Sequence, residues 1–115
     1  MKNIILSAIA VFTLTSCGST HKSLYSWYDY EDCTYQYNKK RTDELKVKVL
    51  EQYEKMTTQQ KGLRGTVPPG LYAEYGFMLC KNGKTEEGLK YLKEEIKMYP
   101  ESETYISRII KQLEK

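Results

Sequence analysis

The chain has 115 residues, with 18 Lys and Arg against 15 Asp and Glu and a formal net charge of +3. That length allows one small domain with limited power to bury its surface. The positive balance is mild and scattered, which argues against a nucleic-acid footprint.

Met1-Lys2-Asn3 gives a short basic start, and Ile4 to Leu14 is apolar except for Ser7 and Thr13. This layout predicts a secretory signal, too short to be a spanning helix. The tetrad Leu14-Thr15-Ser16-Cys17 closes the run where an ordinary signal would end at a small-residue cleavage site. A bacterial lipobox looks like this, with cleavage before Cys17 and acyl chains (palmitate among them) on its thiol and amine. Residues 1–16 then read as a lipoprotein signal peptide, 17–24 as a lipid-anchored tether and 25–115 as one helical domain. Each buried methylene contributes about 0.8 kcal/mol, so several chains make the attachment effectively permanent. Gly18-Ser19 follow the cysteine, with no aspartate to suggest inner-membrane retention. The expected place is the outer membrane facing the periplasm, with a surface-facing orientation left open.

A first helix is predicted from about Trp27 to Lys39, ended by Lys39-Lys40-Arg41. Tyr25, Trp27, Tyr28, Tyr30, Tyr35 and Tyr37 concentrate aromatic side chains here. They read either as packing of the first helix or as a peptide- or glycan-facing patch. Thr42 is a cap for the second helix, with Asp43 and Glu44 in its first turn. Leu45, Val49, Tyr53 and Met56 recur at helical spacing and give that helix one apolar stripe running toward Gln60. Gly62, Gly65, Pro68, Pro69 and Gly70 form the main internal loop.

The third helix spans Leu71 to Lys81, with Tyr72, Tyr75, Gly76 and Leu79 on its inner face. Asn82-Gly83-Lys84 is a tight turn, and Thr85 is the expected cap of a fourth helix. Leu89, Leu92, Ile96 and Tyr99 make its stripe, and Pro100 stops it. Ser102 caps a last helix whose face is Ile106, Ile109, Ile110 and Leu113. The predicted fold class is all-α, a short tetratricopeptide-like stack of about five helices.

The segment from Pro69 to Ser102 has the length and anchor order of one tetratricopeptide repeat. Tyr72, Tyr75-Gly76, Leu79, Leu92 and Pro100 take its large, small and terminating positions, and Gly88 takes the usual alanine's place. Glu95 stands where a small residue is usual, so that position is expected to be solvated. Three blocks together resemble the small bacterial lipoproteins of the domain-of-unknown-function 4810 family. They are Tyr25-Ser26-Trp27-Tyr28-Asp29-Tyr30-Glu31, Pro68-Pro69-Gly70-Leu71-Tyr72-Ala73-Glu74-Tyr75-Gly76 and Tyr99-Pro100-Glu101-Ser102. Family members commonly carry glycine in place of Tyr28 and alanine in place of Gly88. The resemblance implies a lipoprotein often encoded beside a curli-secretion-channel-like lipoprotein and another small lipoprotein of unknown role, and hence a shared envelope complex. It supplies no catalytic residues.

Chemistry-bearing residues are sparse. His21, the one histidine, falls in the tether. Glu94 and Glu95 can pair with lysines such as Lys90 and read as surface charge. Cys33 and Cys80 lack a redox CxxC spacing. An oxidising compartment permits a Cys33–Cys80 disulfide; two independent buried thiols are the other reading. The glycines lack phosphate-loop spacing. No enzyme activity, cofactor, metal or nucleic acid is expected. Trp27, Tyr30, Tyr72, Glu74 and Tyr75 are the expected contact residues, although Glu74 also suits a salt bridge or cap. The expected partners are the membrane, through lipid on Cys17, and other envelope lipoproteins. The alternatives are a structural accessory without a peptide groove and a cell-wall or glycan-binding module.

Overall fold

A computed structural model describes residues 23–115. The expected signal peptide, Cys17 and His21 lie outside the described residues. The rest forms five α-helices and a short 3-10 turn: α1 (Tyr30–Lys40), α2 (Asp43–Thr58), α3 (Leu71–Lys81), α4 (Thr85–Met98), the turn Pro100–Ser102, and α5 (Glu103–Leu113). The described residues hold no strand, so the fold is an all-α short helical stack, as the hydrophobic periodicity predicts. None of these helices is long and apolar enough to cross a membrane.

Consecutive helices pack on one another, α1 on α2, α2 on α3, α3 on α4 and α4 on α5. The central core joins Val49, Tyr53 and Met56 of α2 to Val67 of the loop and Leu71, Tyr75 and Leu79 of α3. The predicted stripe of α2 is therefore the buried one, with Gln52 buried beside it. Thr42 caps α2 as expected, its Oγ1 accepting from the Leu45 N–H at 3.3 Å. Two expected caps behave otherwise. Thr85 lies inside α4 behind Lys84, which makes no side-chain cap. Ser102 turns its hydroxyl back to the Tyr99 carbonyl, because the 3-10 turn after Pro100 leads directly into α5.

The α1 boundary also differs from expectation. Tyr28 has φ +49°, outside the right-handed helix, so Trp27 precedes α1 and does not belong to it. Tyr30 N–H closes the turn on the Trp27 carbonyl at 3.0 Å. The folded body begins earlier than the expected tether boundary. Leu63 and Arg64 donate their N–H groups to the carbonyls of Ser23 and Leu24 at 3.0 and 3.1 Å. Gln60 holds Ser26 from both sides, accepting from its N–H at 2.8 Å and donating to its carbonyl at 2.9 Å. Ser23 and Leu24 thus belong to the domain. A Cβ on Gly62 would overlap the Leu24 carbonyl, so this crossing requires glycine.

The α3–α4 hairpin turns through Gly83, at φ +86°, and closes where Gly76 faces Gly88. A Cβ on Gly76 would come within 2.5 Å of the Gly88 carbonyl oxygen. One on Gly88 would meet the Gly76 carbonyl and the Cys80 sulfur. The backbones approach more closely than an alanine at either position allows.

Candidate functional site

α3 and α4 lean against the start of α5, and the space between them is an apolar groove of about 510 Å³. Its walls include Pro69, Ala73, Phe77, Tyr99, Tyr105 and Ile109. Tyr105 is 70 % exposed and Phe77 is 40 % exposed, unusual for large side chains without a partner. Three carboxylates, Glu74, Glu95 and Glu101, also line the groove, and no Lys or Arg does.

Glu95 is the most informative of these. Its side chain is 2 % exposed, which corrects its reading as solvated surface charge. It falls one turn beyond Leu92 and two beyond Gly88, on the buried face of α4. The Gly70 N–H, free at the start of α3, hydrogen-bonds its carboxylate. The other oxygen, Oε2, is buried with no hydrogen-bond partner. Burial raises the Glu95 pKa first, and the Glu101 and Glu74 charges add to the shift against the Gly70 bond. An unpaired buried carboxylate oxygen is costly, so its retention asks for a reason. The Tyr99 hydroxyl meanwhile bonds the Val67 carbonyl at 2.5 Å and fixes the loop against this end of α4.

The residues expected to make contact separate into two groups. Glu74 lines the groove, and its Oε2 accepts from the hydroxyls of Tyr30 at 2.7 Å and Tyr53 at 3.1 Å. The other four lie along an aromatic ladder. Trp27 and Tyr30 have ring centroids 5.7 Å apart, and Tyr30 lies 5.6 Å from Tyr53. Tyr53 stacks on Tyr75 at 5.6 Å, Tyr75 meets Tyr91 at 4.6 Å, and Tyr91 stacks on Tyr72 at 6.1 Å. Tyr75 is 6 % exposed and packs in the core, so it offers no contact surface. Such pairs add roughly 0.5–1.5 kcal/mol beyond their burial. Burial, then the Glu74 bond and charge, pushes the Tyr30 pKa up to about 12. The Tyr53 hydroxyl moves in the same direction, with burial again the largest cause.

Phe77 and Tyr105 were not singled out in the sequence, and Glu95 and Ile109 were read there as surface charge and as a helix face, not as groove residues. Glu95 was detectable from its three-residue spacing to Leu92 and four-residue spacing to Tyr99. Cys33 and Cys80 do not pair: both are free thiols in different surroundings. Cys33 packs from α1 against the α2–α3 core, whereas Cys80 Sγ points to the Thr85 carbonyl at 3.6 Å. Among the described residues, no group of three or more His, Cys, Asp or Glu could hold a metal ion.

No curated protein and no solved structure matches the chain. One family model does, described as "Domain of unknown function (DUF4810)", over residues 24–109. The match runs from the segment clamped by Arg64 to the middle of α5 and takes in the groove, so the chain belongs to the DUF4810 family.

Proposed function

We propose that this is a lipid-anchored envelope protein that recruits or assembles other envelope lipoproteins through the α3–α4–α5 groove. The unpartnered Oε2 of Glu95, buried in the wall of an apolar groove, carries the reading. A buried carboxylate gains most from a cation delivered with its own apolar surroundings. The complementary partner segment therefore carries Lys or Arg among apolar residues, the latter covering Phe77 and Tyr105. Glu74 and Glu101 add negative charge to the same lining and favour the same partner.

In this reading the α3–α4 hairpin is one tetratricopeptide-like unit and α5 the end of a short stack. The order of anchors from Tyr72 to Pro100 and the glycine contact at residues 76 and 88 support that view. Acylation of Cys17 places the domain at the outer membrane, facing the periplasm. Partners such as a secretion-channel-like lipoprotein then meet it on a surface instead of in bulk solution, which raises their effective concentration. The proposal assigns the chain no catalytic residue.

A photo-crosslinking amino acid at Tyr105, in the full lipidated protein in its native membrane, tests the proposal. Mass spectrometry of the products should give adducts dominated by one or two envelope lipoproteins, and Glu95→Ala should reduce them. Efficient crosslinking within the chain with no protein adduct would refute the assembly role.

A further inference from the structure

The end of the domain that leads back to Cys17 carries a second exposed apolar surface, separate from the groove. Leu24 is 53 % exposed, Leu63 62 %, and Trp27 and Tyr28 42 % each. Two backbone hydrogen bonds, Leu63 N–H to Ser23 and Arg64 N–H to Leu24, hold the two leucine-bearing segments side by side. Trp27, Tyr28 and Lys61 border one shallow depression beside them. The Gln60 and Ser26 hydrogen bonds, with the Lys61 N–H donating to Ser26 Oγ at 3.1 Å, make this a fixed platform.

We infer that Leu24, Trp27, Tyr28 and Leu63 form a docking face that seats the domain on the phospholipid bilayer holding its anchor. This inference rests on acylation of Cys17. Only six residue steps separate Cys17 from Ser23. Fully extended, they reach about 20 Å, so this end of the domain stays within that distance of the headgroups. The composition suits the bilayer interface. Tryptophan and tyrosine favour headgroup depth, where one part of the ring is apolar and the other wet. Leu24 and Leu63 supply apolar contact, and exposed Lys61 and Arg64 supply cations at the same edge for lipid phosphates. Because the tether already confines the domain, even weak intrinsic affinity suffices to hold it down. Seating this face fixes which side of the stack is turned from the membrane, so the domain presents its groove in a set orientation.

Trp27 is the sole tryptophan, so its fluorescence reports the face directly. The mature lipidated protein would be reconstituted in phosphatidylethanolamine–phosphatidylglycerol vesicles containing phosphatidylcholine brominated high on its acyl chains. The bromines should quench Trp27 emission about two-fold or more. Leu24→Ser with Leu63→Ser should float with the vesicles, keep its helical circular dichroism and lose at least half of that quenching. Leu63→Ser alone should fall between. Protein that floats with its acyl mass intact but shows unquenched Trp27 would overturn the docking face and leave the lipoprotein reading standing. Equal quenching in the double variant would also overturn it. A chain without acyl mass that fails to float would sink the lipoprotein reading and the docking face together.

Discussion

The Tyr30 hydroxyl donates to Glu74 Oε2 at 2.7 Å across 44 residues of sequence, joining the start of α1 to α3. Tyr53 shares the same oxygen from α2, so one carboxylate ties three helices. Tyr30→Phe should cost about 1 kcal/mol, the usual net worth of such a bond, measured by urea unfolding. The pH dependence should change with it. Tyr30 has a folded pKa of about 12 against an ordinary 10.0. Its contribution is therefore complete below pH 10 and lost as pH rises through 12. Tyr30→Phe should flatten that alkaline decline in part, since buried Tyr75, also pushed up to about 12, contributes in the same window. Identical alkaline profiles for variant and wild type would refute the Tyr30 contribution.

Gly88→Ala tests the closest helix approach. Its Cβ would overlap the Gly76 carbonyl, a backbone atom that cannot rotate aside. Overpacking of this kind costs about 1–3 kcal/mol. For a domain of this size the melting temperature should fall by roughly 4–8 °C per kcal/mol. Gly76→Ala should behave alike, because it pushes on the same contact from the other helix. Unchanged melting in both would mean that α3 and α4 can separate without loss.

The free thiols give a chemical test. Cys33 and Cys80 both have their pKa raised by burial, so they should react slowly in the folded protein. Unfolding the mature protein in denaturant, without reductant, should release two titratable thiols per chain if Cys17 carries the proposed acyl chain. No released thiol would indicate the Cys33–Cys80 bridge.

Much of this fold is legible in the chain because its core follows simple spacing. Val49, Tyr53 and Met56 are buried where their four- and three-residue steps place them, and the Asn82-Gly83-Lys84 turn sits where its glycine demands. The errors come from contacts between distant segments. Nothing local to Trp27 signals that Tyr28 leaves the helical region; the cause is the clamp on Ser26 by Gln60, 34 residues away. Gly62 reads as a loop glycine until Leu24 crosses it. The groove was hidden for a related reason. Hydrophobic periodicity finds buried positions by looking for apolar residues, and Glu95 occupies one as a carboxylate.

Glu95→Gln should weaken the loss of stability that follows as pH rises above the ordinary carboxylate range. The folded pKa of Glu95 lies above its ordinary value, so the folded state holds this proton more tightly than the unfolded chain does. The resulting stabilisation is complete below the ordinary carboxylate range and is lost as pH rises through the raised folded value. Above that, the protein carries an ionised carboxylate with one oxygen unpartnered. Glutamine keeps an oxygen to accept from the Gly70 N–H and cannot ionise. Unfolding free energies of variant and wild type should therefore differ more in the variant's favour at pH 7.5 than at pH 4, by about 1 kcal/mol, within the desolvation cost of one unsatisfied group. Both proteins keep Glu74 and Glu101 in the same lining, so the difference between them isolates Glu95 to first order. If the two stability curves run parallel from pH 4 to 7.5, Glu95 is not the strained group described here. The groove would then lose the feature on which the proposed cationic partner rests.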